Sequence, residues 1–149
     1  MNHLQPPLQI LLAEDDTDDR FFFNKALKEI PLSTHLTTVY DGEALMNYLE
    51  KNLNNLPDIL FLDLSMPKKT GFECLNEIKE DERLKSLNVI VFTISFGQNS
   101  NYEQSLTNTL LNIGAQKYIR KLADIEQFKD SIHQALIAVI ANKSLKRDE

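Results

Sequence analysis

The stretch ILFLDLSMP, residues 59–67, decides how this chain is read. Residues 59–62 are apolar without a break, the pattern of a strand covered on both faces. Asp63 follows at once. Met66-Pro67 then takes the chain out of any strand, because proline has no N–H for a ladder. A carboxylate at the end of a deeply buried strand is either an ordinary turn-forming terminator or a group presented for chemistry. The rest of the chain separates the two.

Outward from that stretch, short apolar runs alternate with segments of helical period. Residues 8–13 read as a strand, followed by Glu14-Asp15-Asp16. Phe23, Ala26, Leu27 and Ile30 then recur at spacings of three and four, a helix face. Asp16 or Thr17 is its candidate cap and Pro31 follows its end. The neighbours Phe21, Phe22 and Phe23 cannot all face one core, and one of them is expected at the surface. Residues 36–40 are a β-branched and aromatic run closed by Asp41-Gly42, which reads as a plain turn into a helix. Ala44, Leu45, Tyr48 and Leu49 form the next helix face. Pro57-Asp58 introduces the opening stretch, and Gly71 precedes a helix with Phe72, Leu75 and Ile78, Cys74 beside them. Residues 89–92 lead to Thr93. Tyr102, Leu106, Leu110 and Ile113 make a stripe that Gly114 stops. Residues 117–120 are a short strand. The last helix buries Ile125, Phe128, Ile132, Leu136, Val139 and Ile140, with Asp124 as cap and Gln127 three residues on.

Strand and helix thus alternate five times. Strands apolar on both faces belong in a parallel sheet with helices on either side, and right-handed crossovers make it an α/β, doubly wound sandwich. The 149 residues suit a single domain, 1–149, with its core at about 8–141. The ends, 1–7 and 142–149, are expected to be loose. With 42% hydrophobic and 26% charged residues the composition is globular. A formal net charge of −6 argues against a nucleic-acid surface, which needs clustered Lys and Arg. The single cysteine, Cys74, allows no internal disulfide, which fits a reducing, cytoplasmic setting. No apolar run is long enough to cross a bilayer, and the N-terminus is not a signal peptide.

In such a sheet, sites form beyond the carboxyl ends of the strands, where the strand order reverses. The residues expected there are Glu14, Asp15 and Asp16 after the first strand, Asp63 after the third, Thr93 at the fourth and Lys121 after the fifth. Clustered carboxylates repel one another unless a cation sits among them. Hard oxygen ligands suit Mg²⁺. A carboxylate beside that ion can attack phosphorus while an ammonium and a hydroxyl hold the phosphoryl oxygens. Asp63, Lys121 and Thr93 are of those three types.

At these residues the chain resembles the receiver domain of bacterial two-component response regulators. The matching pieces are ILLAEDDTDD (10–19), ILFLDLSMPKKTGFECL (59–75), VIVFTIS (89–95) and GAQKYIRK (114–121), in the family's order and at its usual spacing. Four separated motifs agree, where any one would be weak. The resemblance implies a CheY-like, flavodoxin-like (βα)5 fold with strand order 2-1-3-4-5. It implies that Asp63 is the phospho-acceptor and that Asp15 ligates Mg²⁺ directly, Glu14 acting through water. Ser65 then offers its backbone carbonyl to the metal. Thr93 is the switch hydroxyl that binds the phosphoryl group, Tyr118 the aromatic that swings inward on phosphorylation, and Lys121 the lysine that contacts phosphate. Two positions depart from the family's pattern. Leu122 stands where a proline after a cis bond is common, which bears on where Lys121 points. Ile94 stands where a small residue is common, and its bulk narrows access to Asp63. The long spacing between residues 71 and 87 resembles the stand-alone receivers that partner phytochrome-type kinases.

The partners this implies are a sensor histidine kinase or phosphotransfer protein, and a downstream protein. The chain ends soon after its last helix, so output is expected through another protein, a homodimer or phosphate relay. Two other classes stay open. One is a degenerate receiver that only binds partners, which Ile94 and Leu122 keep alive. The other is a Mg²⁺-dependent phosphatase with an aspartate nucleophile, against which Ser65 counts, since such enzymes want a second acid two residues on. Asp16, Asp18 and Asp19 read as first-turn helix charges. His3, His35 and His133 form no ligand set, and Cys74 reads as packing.

Overall fold

A computed structural model describes residues 6–94, 100–121 and 125–147, and the backbone alone of 93, 94, 100–104, 120, 121 and 144–147. Strands and helices alternate as β1 (Leu8–Ala13), α1 (Thr17–Lys28), β2 (Thr34–Val39), α2 (Gly42–Lys51), β3 (Ile59–Asp63), α3 (Gly71–Glu80), β4 (Val89–Ile94), α4 (Ser100–Ile113), β5 (Lys117–Lys121) and α5 (Ile125–Arg147). The strands make one parallel sheet in the order β2-β1-β3-β4-β5, the flavodoxin-like arrangement expected.

Successive side chains of a strand leave on opposite faces, so the sheet feeds two cores. On one face Ile10, Leu12, Phe61 and Phe92 pack with Phe23 and Leu27 of α1 and Phe128 and Leu136 of α5. On the other, Leu11, Leu60, Leu62 and Val91 pack with Leu45 and Leu49 of α2, Leu75 and Ile78 of α3 and Leu110 of α4. Central β3 is buried at every position, Asp63 included. Edge strand β2 is half-buried, which its sequence THLTTV reflects.

Side chains start α1 and α2. Asp16 caps α1, its Oδ1 accepting from the Asp19 N–H (2.9 Å), and Asp41 caps α2, accepting from the Ala44 N–H (2.7 Å). Gly114 ends α4 at a φ of 130°, a conformation side chains resist. The sequence reading is corrected in several places. Both Phe21 and Phe22 are exposed (64% and 50%), because the inward stripe of α1 is Phe23, Ala26 and Leu27. β2 begins at Thr34 and ends at Val39, which leaves Tyr40 outside it. Ile140 is turned out and Ala135 buried in its helix. Helix α5 runs on to Arg147, past the expected loose end, and Lys143 Nζ pairs with Asp58 Oδ1 at 2.7 Å. The expected cap Asp124 lies outside the described residues. Among those described, no helix is long and apolar enough to cross a membrane.

Candidate functional site

The site is placed by register. Ala13 of β1 lies opposite Leu62 of β3, so the next residues, Glu14 and Asp63, reach the carboxyl edge at the same level. From β1 the order runs to β2 on one side and β3 on the other, which is the reversal point of the sheet. There the carboxylates of Glu14, Asp15 and Asp63 bring ligand atoms within 4.8 Å of one another. Glu14 and Asp63 are buried (0% and 4% exposed) and Asp15 is exposed. The Glu14 N–H donates to the Val39 carbonyl (3.0 Å), carrying the ladder one residue past β1. The Asp16 N–H donates to Glu14 Oε2 (3.1 Å), which orients that buried side chain. Ionised carboxylates this close repel in a medium that screens them poorly, and a cation between them relieves it. Their hard oxygens fit Mg²⁺ or Mn²⁺ rather than a soft metal. Asp16 is engaged as the cap of α1, as expected of a first-turn acid.

The loop after β3 is set by two close approaches. A Cβ on Gly71 would overlap the carbonyl oxygen of Asp63, and the Gly71 N–H donates to the Leu64 carbonyl (3.0 Å). A Cβ on Gly42 would overlap the Lys69 carbonyl, so α2 abuts the same loop. Lys68 takes a left-handed φ of 69°, and its ammonium lies 3.8 Å from Asp41. Lys69 pairs with Glu77. Ser65 sits exposed on this loop, two residues past Asp63. Cys74, fully buried behind it, faces the Gly42 carbonyl (Sγ to O 3.5 Å). Burial pushes its thiol up to about 12, so it packs rather than reacts. The sequence reading took Asp41-Gly42 for a plain turn. A glycine directly after a capping aspartate was the only signal of the contact.

The other predicted residues lie on the neighbouring strands. Phe92 pairs with Asp63, so Thr93 stands one residue beyond it on β4, opposite Arg120. Lys121 ends β5 opposite Ile94. The side chains of Thr93, Ile94 and Lys121, and Leu122 altogether, lie outside the described residues. Tyr118, opposite Val91, is half-buried against the core of α2, α3 and α4. Arg20 was not anticipated. Its Nη1 donates to the carbonyls of Glu14 (3.0 Å) and Asp15 (2.8 Å), and its Nη2 to Thr17 Oγ1 (3.1 Å). Its Cζ lies 4.3 Å from the centroid of the Tyr40 ring. The available clue was a cation in the first turn of a helix, where the dipole disfavours it.

The family model described as the response regulator receiver domain matches residues 10–133. Response regulator Rcp1 of Synechocystis sp. is 36% identical over 97 residues, which are 62% of this chain and 66% of Rcp1. A probable methanogenesis regulatory protein, FilR2 of Methanothrix harundinacea, is 34% identical over 94 residues, 61% of each chain. The chain therefore spans just under two thirds of the length of these two relatives. The crystal structure of the phosphorylated cyanobacterial phytochrome response regulator RcpA superposes with a TM-score of 0.72 at 31% identity, over 87% of this chain and 91% of that one. The Mn²⁺-bound form of Rcp1 superposes with a TM-score of 0.71 at 29% identity, over 86% and 91%.

Proposed function

The chain belongs to the response regulator receiver domain family, a family of signalling domains, and from that premise we propose that it accepts a phosphoryl group on Asp63. The observation that carries this is the convergence of Glu14, Asp15 and Asp63 within 4.8 Å at the reversal point of the sheet. In this reading Asp15 and Asp63 ligate Mg²⁺ directly, Ser65 does so through its backbone carbonyl, and Glu14 through water. Mg²⁺ bound there supplies positive charge to the phosphoryl oxygens. A carboxylate oxygen of Asp63 attacks phosphorus. The N–P bond of a phosphohistidine breaks as the O–P bond of the acyl phosphate forms, and the histidine leaves with the electron pair. The Thr93 hydroxyl and the Lys121 ammonium hold phosphoryl oxygens. Tyr118 and Thr93 then shift and bias the face of α4, β5 and α5 that a partner reads.

The donor in this reading is a histidine kinase, of the phytochrome type that the similarity to RcpA favours, or a phosphotransfer protein. The setting is the cytoplasm, and output passes through another protein, a homodimer or a relay. The domain is no enzyme beyond catalysing its own phosphorylation and dephosphorylation. With Mg²⁺ and acetyl phosphate, intact mass is expected to rise by one phosphoryl group on the wild type. No rise is expected on Asp63→Asn or with excess chelator. Labelling that persists unchanged in Asp63→Asn would remove Asp63 from the role. Partner binding without any phosphorylation would favour a pure interaction module.

A further inference from the structure

Arg20 lies in the first turn of α1, its backbone N–H closing onto the Asp16 carbonyl at 3.0 Å. Its side chain folds back over the acidic loop. One edge of the guanidinium donates to two successive main-chain carbonyls, those of Glu14 (3.0 Å) and Asp15 (2.8 Å), and Nη2 reaches Thr17 Oγ1 (3.1 Å). Its face meets the Tyr40 ring, with Cζ 4.3 Å from the centroid. Only a planar group with several donors can engage by edge and face together.

The loop it spans carries Glu14, Asp15 and Asp16 in succession, and their mutual repulsion favours spreading it. The two carbonyls held by Arg20 fix the peptide planes that follow Glu14 and Asp15. Those planes set the directions in which the two carboxylates leave the backbone. Asp63 arrives independently, on the end of rigid β3. We propose that Arg20 is a positioning residue for the metal site: it holds the β1–α1 loop on the backbone path that brings Glu14 and Asp15 to Asp63, and Tyr40 seats its guanidinium. The inference rests on reading the three carboxylates as that site. Arg20 acts through the loop backbone, so its loss weakens metal affinity and leaves Asp63 competent once metal is saturating. Tyr40 joins β2 to the cap of α2 and lies mostly exposed (58%), so whatever displaces its ring also loosens the seat.

The test measures Mn²⁺ binding to the full chain by electron paramagnetic resonance of the free ion, beside acetyl phosphate labelling across a Mg²⁺ series. Arg20→Gln is expected to raise the Mn²⁺ Kd by about 10-fold, the lower end of what losing an outer-shell partner costs. Its labelling is expected to return to the wild-type rate at saturating Mg²⁺. Arg20→Lys keeps the charge but not the planar fork, and is expected to fall between the two. Tyr40→Leu leaves Arg20 in place and is expected to weaken Mn²⁺ binding in the same direction by a smaller factor. Asp15→Asn is the control for the site itself. Unchanged Mn²⁺ binding in Asp15→Asn overturns the metal reading. Lost binding there with wild-type binding in Arg20→Gln overturns the role of Arg20 alone. A labelling defect that saturating Mg²⁺ does not restore, with a lowered Tm, makes Arg20 a structural brace and also overturns it. If Arg20→Gln does not fold, Arg20→Lys and Tyr40→Leu carry the same decision.

Discussion

At the scale of single residues, Asp63 is held by what surrounds its backbone as much as by its strand. Gly71 touches the Asp63 carbonyl so closely that no β-carbon fits between them. Gly71→Ala must therefore push the first turn of α3 away from the end of β3. Overpacking of this kind costs about 1–3 kcal/mol. The expected outcome is a lower urea midpoint together with slower labelling of Asp63, since the displaced group is the peptide of the proposed acceptor. A variant that loses stability but labels at the wild-type rate would show that the contact only packs. Cys74, by contrast, is a core side chain: burial raises its thiol to about 12, which leaves little thiolate near neutrality.

At the scale of elements, α1, α2 and α3 owe their starts to local side chains. Helix α3 has a reciprocal cap: the Glu73 N–H donates to Thr70 Oγ1 (3.2 Å) and the Thr70 N–H to Glu73 Oε1 (2.9 Å). Thr70→Ala removes one half of it and is expected to cost about 1 kcal/mol in urea unfolding, with Thr70→Ser close to wild type. The Thr70 N–H, and then its hydroxyl, hold the Glu73 carboxyl below the usual range. A carboxyl lowered in the folded state stabilises above its unfolded pKa, and that stabilisation is lost as pH falls through the folded value. The gap between Thr70→Ala and wild type is therefore expected to narrow on acidification through the carboxylate range. A gap constant with pH would assign the whole effect to the hydroxyl's bond to the Glu73 N–H.

For the whole molecule, the site rests on a sheet cemented by aromatic packing on one face. Phe23 of α1 lies 4.9 Å from Phe61, 6.1 Å from Phe92 and 6.3 Å from Phe128, centroid to centroid, and ties α1, β3, β4 and α5 together. Phe23→Ala is expected to cost about 3–5 kcal/mol, read from urea unfolding. The ion pair of Lys143 with Asp58 also joins distant elements, α5 to the start of β3, but both side chains keep some exposure. Lys143→Ala is expected to cost less than about 1 kcal/mol. An equal cost for the two would mean that the end of α5 is part of the core. The acidic site lies at the carboxyl edge, off the end of this packing.

What the sequence determined by itself was the alternation of strands and helices and the residues delivered to the carboxyl edge. These follow from local patterns: unbroken apolar runs for buried strands, spacings of three and four for helices, and polar residues where strands end. The capping Asp16 was legible for the same reason, whereas Asp41 was recognised as a cap only in the structure. Only the tertiary structure decided that Glu14 and Asp63 come level, because that depends on the register of Ala13 against Leu62. It also decided that two phenylalanines face outward, that Gly42 and Gly71 admit no side chain, and that Arg20 crosses back over the acidic loop beneath Tyr40. Each of these is a contact between segments distant along the chain or a choice among equivalent directions, and neither leaves a periodic trace in the sequence.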